Sequence, residues 1–311
     1  MDQDGIKQED EYHRPVLVEE VVALLAPALP GVVIDATFGG GGHSKRLLDE
    51  FGEDVTIIGI DRDPEALANA GALGVTAIQG NFGDLTDVLS ERLSEPPSAV
   101  LFDFGVSSHQ LDDGERGFSY RKDGPLDMRM GPDAGLDAGT IVNEWSQTEI
   151  TGIIRRYGEE PMAARIARAI VAARPIKSTA HLSTVVAEAT PAARRRAGHP
   201  ARRTFQAIRI AVNAELDAVA SGLDQAIEMV GEGGRVLAIS YHSLEDRIVK
   251  RRFADGATGC VCPPDLPVCG CGVSAELRLL TRKAIRASAG EVAVNNRSRS
   301  AVMRAAEKVA A

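Results

Sequence analysis

Apolar residues fall along this chain in two alternating rhythms. Short, nearly continuous apolar runs read as strands buried on both faces, and longer stretches with apolar residues every three or four positions read as amphipathic helices. "PVLVEEVVALLA" from Pro15 has helical spacing, with Pro15 suited to a first turn. "GVVIDAT", "DVTIIGIDRD", "VTAIQGNF" and "SAVLFDFGVSS" read as four strands, with "HSKRLLDEF" and "PEALANAGAL" as helices between the first three. Strand and helix at this spacing predict βαβ units and a parallel sheet.

The rhythm breaks after residue 110. "LDDGERGFSYRKDGPLDMRMGPDAG" has no clear period, is rich in Gly, Pro and Asp, and reads as loop. Its first part looks too polar and glycine-rich to pack as core. Helical patterns follow in "GTIVNEWSQTEITGIIRRYGEE", "PMAARIARAIVAAR" and "STAHLSTVVAEAT". One long helix is predicted over "ARRTFQAIRIAVNAELDAVASGLDQAIEMV", leading to a fifth strand, "GGRVLAISY". The fold class is therefore α/β, a Rossmann-like sheet interrupted by a helical insertion. The expected divisions are a disordered tail at 1–11, a first part of the α/β domain at 12–111, an inserted helical domain at 112–202 and a second part at 203–311.

Four glycines, Gly39 to Gly42, close the first strand and lead into a helix. Glycine weakens regular structure, so such a run implies positive φ or a ligand against bare backbone. Asp61 ends the second strand 19 residues after Gly42, the usual offset for an acid that holds a nucleoside ribose. The dinucleotide fingerprint G-x-G-x-x-G fails: counted from Gly39 the sixth place is Ser44, and from Gly40 it is Lys45. This disfavours a nicotinamide enzyme. S-adenosylmethionine (SAM) carries no phosphate, and Gly39 to Gly42, Asp61, and Phe82 with Asn81 answer its three parts in chain order: bare backbone for the amino acid, an acid for the ribose, and an apolar plate with an amide edge for the adenine.

The segments "HRPVLVEEV", "DATFGGGGHS", "GIDRDPEAL", "DFGVSSHQLDDGERGFSYRKDGPLDMRM", "RRTFQAIRIAVNAEL" and "ISYHSLEDRIVKRRF" resemble, in this order, the bacterial 16S rRNA (cytosine-N4)-methyltransferase H family, from about His13 to about Ala301. The resemblance implies SAM-dependent methylation of N4 of a cytidine in the decoding centre of the small ribosomal subunit. Carried over motif by motif, it implies cofactor contacts by Gly41, Gly42, His43, Asp61, Phe82, Asp103 and Gln110. His109 stands where the family often has Pro, and Asn296 where Pro is expected.

The exocyclic amine of cytosine is a poor nucleophile, and a catalyst must align it with the sulfonium methyl and accept its N–H groups. The (Asp/Asn)-Pro-Pro-aromatic segment of many amino-methyltransferases is absent; "DFGVSS" stands there, which argues against a DNA amino-methyltransferase. Asp103 is the first candidate acceptor, Ser107 or Ser108 the second. His242, in "SYHSLED", is either the group that takes the departing proton or a helix-start residue bonded to backbone. A non-enzymatic SAM-binding ribosome-assembly factor is the remaining alternative.

Composition modifies this picture in three places. Net charge is −9, which argues against a general polyanion binder, yet Pro191 to Ala214 holds Arg194, Arg195, Arg196, Arg202, Arg203 and Arg209 with no acid, and Arg247, Lys250, Arg251 and Arg252 form a second cluster. Local patches carry phosphate contacts, so Arg202, Arg203, Arg251 and Arg252 are candidate RNA-binding residues, and Phe118 and Tyr120 candidates to stack on a base. The thiols Cys260, Cys262, Cys269 and Cys271 read as C-x-C, six residues, C-x-C, spaced either to hold a zinc ion or to remain reduced in a loop. No apolar run is long enough for a membrane span and the N-terminus is acidic rather than signal-like, so a cytoplasmic protein without membrane partners is expected.

Overall fold

The computed structural model describes residues 15–195, 198–259, 262, 271 and 274–310, without the side chains of Ser108, His109 and Arg195. The expected tail at 1–11, and Cys260 and Cys269 of the cysteine cluster, lie outside the described residues. The chain divides into two compact units. One comprises Met1–Gly105 with Leu216–Ala311, the other Val106–Glu215. The limits expected for the insertion, 112 and 202, both fall inside the second unit.

The first unit is built on one sheet. Its strands are β1 (Gly31–Asp35), β2 (Val55–Asp61), β3 (Thr76–Gln79), β4 (Ala99–Asp103), β5 (Arg235–Ser240), β6 (Leu277–Leu279), β7 (Ile285–Arg286) and β8 (Val302–Lys308). They lie in the order β3-β2-β1-β4-β5-β8-β6, with β7 also on β8. The first five are parallel, whereas β8 runs antiparallel to β5, β6 and β7. Successive side chains of a strand point to opposite faces. Ile34, Ile58, Val100, Phe102, Val236 and Ala238 therefore pack with Val219, Leu223 and Phe253 on one face. Val33, Ile57, Leu101, Leu237 and Ile239 pack with Val21, Leu25 and Leu47 on the other. Burial on both faces is why these strands read as continuous apolar runs.

The order reverses between β1 and β4: β1 leads outward to β2 and β3, β4 the other way to β5. Carboxyl ends at such a reversal are the usual ligand crevice of an open parallel sheet. "PEALANAGAL" does not form the helix expected of it. It folds as two 3₁₀ turns, Ala66–Asn69 and Gly71–Leu73, and ends at Gly74 with φ 70°. Asn69 and Gly71 weaken helix propensity within it, and the left-handed Gly74 ends it.

The second unit is helical: Ala138–Glu144, Gln147–Gly158, Ala163–Ala172, Thr179–Ala189 and Arg202–Asn213 are its main helices. Asp137, Ser146 and Ser178 cap three of them with side-chain oxygens, and Ser146 forms a capping box with Glu149. Ile141, Ile150, Ile154, Ile166, Ile170, Leu182 and Phe205 make its core. A Cβ on Gly158 would lie 2.6 Å from the Arg203 carbonyl oxygen, so bare backbone lets Gln147–Gly158 and Arg202–Asn213 cross closely.

Two expectations are corrected here. The segment after residue 111 does contribute core: Phe118 and Met128 are buried in the helical cluster. The long helix is broken at Ala214, whose φ of 49° is left-handed, before helix resumes at Glu215. Arg209 pairs bidentately with Glu215 around that break, at 2.8 and 2.9 Å.

Candidate active site

The glycine run forms a tight turn above Phe38. Gly39 and Gly41 are left-handed, with φ of 53° and 74°. A Cβ on Gly41 would lie 2.8 Å from Phe38 Cζ and 2.7 Å from Leu73 Cδ1, and one on Gly42 would press on Pro15 at 3.0 Å. Gly59 on β2 makes room for the same Phe38 ring, at 2.5 Å from its Cδ2. Part of the bare backbone is thus required by the protein's own packing. The helix Gly42–Phe51 then starts with no side-chain cap. Its first-turn N–H groups and its dipole favour an anionic ligand group.

Asp61 closes β2 and is tied to that turn. Its Oδ2 accepts from the Gly39 N–H at 2.8 Å and its Oδ1 from the Asp63 N–H at 2.9 Å. A carboxylate has about four acceptor positions, so capacity remains on both oxygens. Burial raises its pKa to about 6 against the lowering effect of the two N–H groups, with the charges of Asp63 and Asp35 adding to the rise.

Asp103 closes β4. Its N–H donates to Thr37 Oγ1 at 2.6 Å, and its Oδ1 accepts from the Tyr241 hydroxyl at 2.8 Å. Its Oδ2 faces His43 Nδ1 at 3.9 Å. His43 Nε2 lies 2.8 Å from the Val16 carbonyl oxygen, which can only accept, so Nε2 carries a proton. Asp35, at the end of β1, was not among the expected residues. Ser44 Oγ donates to its Oδ2 at 2.6 Å, while its buried Oδ1 has no hydrogen-bond partner. Burial raises its pKa, opposed by His43 and Ser44. An acid ending a buried strand was its signal in the sequence.

Phe82 starts a 3₁₀ turn after β3, which Asn81 caps by accepting from the Gly83 N–H at 3.0 Å. Its ring packs edge-on against Phe102 at 5.8 Å and tilted against Phe104 at 5.5 Å. His242 caps the helix Ser243–Gly256, accepting at Nδ1 from the Glu245 N–H, with Glu245 answering to the His242 N–H. Its Nε2 is 3.1 Å from Glu245 Oε1 but not aligned for a hydrogen bond. The helix-start alternative is therefore the arrangement present.

Ser107 and Gln110 lie in the helical unit and bond each other reciprocally: the Ser107 N–H reaches Gln110 Oε1 at 3.1 Å, and the Gln110 N–H reaches Ser107 Oγ at 3.2 Å. The candidate RNA-binding arginines separate into two kinds. Arg203 caps a helix end through the Glu159 carbonyl at 2.9 Å, and Arg252 is held by Asp224 and Glu276. Arg202 and Arg251 are exposed, with no ion-pair partner among the described residues.

A model of the MraW methylase family matches residues 10–309. The chain belongs to that family. A ribosomal RNA small subunit methyltransferase H from Symbiobacterium thermophilum is 50% identical over 310 residues, covering 96% of this chain and 98% of that protein. Its counterpart from Heliobacterium mobile is 48% identical over 309 residues, with 96% and 99% covered. Among solved structures, a putative rRNA-methylase from Clostridium thermocellum gives a TM-score of 0.41 at 12% identity, over 94% of this chain and 95% of that one. Among the described residues no helix is long and apolar enough to cross a membrane.

Proposed function

We infer that the chain is a SAM-dependent methyltransferase of ribosomal RNA, and that its product is a cytidine of 16S rRNA methylated at N4 in the decoding centre of the small subunit. Family membership supports methyl transfer, and the printed names of the relatives support small-subunit rRNA as its object. A substrate on the ribosome fits a cytoplasmic protein.

The residues present fit the cofactor. Asp61 has acceptor capacity for both ribose hydroxyls, Phe82 offers a ring for the adenine, and the uncapped first turn at Gly42 offers N–H groups to the methionine carboxylate. His43 and Asp103 lie side by side, with Nδ1 3.9 Å from Oδ2. When bound, SAM supplies an electrophilic methyl group on its sulfonium.

The protein's task is to bring the cytosine amine into line and hold its N–H groups. Asp103, whose Oδ1 accepts from the Tyr241 hydroxyl, carries that role. A strong general base is not required, since a methylated, cationic amine is acidic enough to lose its proton to water. His242, engaged at Nδ1 as a cap, is assigned to structure rather than to proton transfer. The helical unit is assigned the selection of the RNA, with Arg202 and Arg251 as phosphate contacts.

The Gly39–Asp61 hydrogen bond carries the reading, because it joins the bare backbone and the ribose-type acid into one pocket at the sheet's reversal point. Tritiated SAM offered with small subunits, bare 16S rRNA or duplex DNA tests it. Label in RNA that digests to N4-methylcytidine is expected. Label in DNA alone, or SAM binding without transfer to any substrate, overturns it.

A further inference from the structure

Tyr120 was expected to meet a base, but its ring already has a partner. His199 stacks on it with centroids 4.5 Å apart and planes 27° from parallel, and Phe205 meets it edge-on at 5.9 Å. The Tyr120 carbonyl accepts from Ser183 Oγ at 3.1 Å, which fixes the backbone under the stack. Arg121 lies with Cζ 5.7 Å from the tyrosine centroid, within cation–π range. Tyr120 is half-buried, whereas His199 and Arg121 are exposed. The tyrosine therefore serves as the floor, and the imidazole above it is the accessible ring.

That imidazole is set as a neutral plate. The Ala201 N–H donates to its Nδ1 at 3.3 Å, which places the ring proton on Nε2. Burial and the Arg121 charge lower its pKa, so it stays uncharged at physiological pH. The His199 carbonyl accepts from the Arg202 N–H at 3.2 Å, so a second exposed guanidinium begins three residues away. A flat neutral ring between cationic side chains matches single-stranded nucleic acid, in which a base stacks while its phosphates are neutralised.

We propose that His199, stacked on Tyr120 and flanked by Arg121, is a seat for one unpaired nucleobase of the RNA substrate. The proposal rests on the assignment of an RNA substrate above. Stacking on such a ring tolerates any base, so the seat adds affinity and holds a strand in place without reading its sequence.

The test is filter binding of the full-length protein to a 16S rRNA fragment across a series of salt concentrations, with SAM affinity measured alongside. His199→Ala is expected to weaken RNA binding about tenfold, with the slope of log K against log salt unchanged, because stacking releases no counterions. His199→Phe is expected to bind like the wild type. Arg121→Ala is expected to weaken binding and lower the slope by about one. All three variants should keep wild-type SAM affinity and melting temperature. RNA affinity unchanged in His199→Ala overturns the seat, and so does a His199→Phe variant no better than the alanine. Wild-type protein that binds no RNA overturns the substrate assignment itself, a result distinct from either.

Discussion

The hydroxyl of Tyr241 donates to Asp103 Oδ1 across 2.8 Å. Asp103 ends β4 and Tyr241 directly follows the neighbouring parallel strand β5, and the Tyr241 N–H is itself held by Glu245 at 2.8 Å. Burial and the Asp103 charge push the phenol well above its usual pKa, so it stays a donor throughout the physiological range. One oxygen of Asp103 is thereby occupied and its rotamer set.

Tyr241→Phe keeps the ring and removes this bond to a charged group, worth about 1.5–3 kcal/mol. If Asp103 receives the target amine, methylation should slow about tenfold or more, measured at a temperature where the variant is still fully folded. In an Asp103→Asn background the same change should add almost nothing. An equal loss in both backgrounds would show that Tyr241 does not act through Asp103.

Asp61 predicts a pH dependence. A folded-state pKa of about 6, above the ordinary aspartate value of 3.8, means that the folded protein binds the proton more tightly than the unfolded chain. Its contribution to stability therefore falls as pH rises from about 4 to about 6 and is constant above that window. Ribose hydroxyls need the ionised form as acceptor, so SAM affinity should rise between pH 5 and pH 7 and then level off. Calorimetry at pH 5 and pH 7.5 checks this. Asp61→Asn should bind SAM more weakly, by roughly ten- to hundredfold, and lose most of the difference between the two pH values.

Arg251 and Arg252 are neighbours with different fates. Arg252 pairs with Asp224 and Glu276 and is half-buried, whereas Arg251 is exposed, with no ion-pair partner among the described residues. Arg251→Ala should lower the salt slope of RNA binding by about one and leave stability unchanged. Arg252→Ala should cost about 1 kcal/mol of stability, discounted because its partners are exposed, and leave the slope alone. Reversed outcomes would exchange their roles.

What the sequence made legible follows from burial. The strands β1, β2, β4 and β5 read clearly because both faces are covered. The strand β8, "VMRAAEK", was not anticipated, because Arg304 and Glu307 interrupt its apolar pattern. In the fold Arg304 pairs with Asp246, and Glu307 with Arg235 and Arg278. The glycines and Asp61 were visible because chain order carries them. The role of Tyr241 was not, since it depends on Asp103, 138 residues away in sequence. Phe118 and Met128 were hidden in a segment whose glycines signalled loop, though those glycines allow it to fold tightly: a Cβ on Gly124 would lie 1.9 Å from the Gly114 carbonyl oxygen.

Asn213 and Ala214 allow a last prediction with opposite signs at adjacent positions. Asn213 is buried, and its side chain satisfies three backbone groups. Its Nδ2 donates to the Met128 and Arg209 carbonyls at 2.8 and 2.9 Å, and its Oδ1 accepts from the Met130 N–H at 2.8 Å. Met128, itself one of the bonded residues, is left-handed at φ 61°, a conformation an unbranched L-residue holds only at a cost of about 1–2 kcal/mol. Asn213→Ala leaves buried backbone groups unpaired at about 1–3 kcal/mol each and removes what holds Met128 in that conformation. A loss of about 3 kcal/mol or more in urea unfolding is expected, with protease cleavage appearing in residues 112–137. Ala214 is left-handed as well, at φ 49°, and needs no side chain there. Ala214→Gly removes the Cβ clash and should stabilise the protein by up to about 1 kcal/mol, less the added freedom of the unfolded chain. The same substitution inside a continuous helix would cost about 1 kcal/mol. The sign of that single change therefore decides whether the helix is broken at this residue in solution.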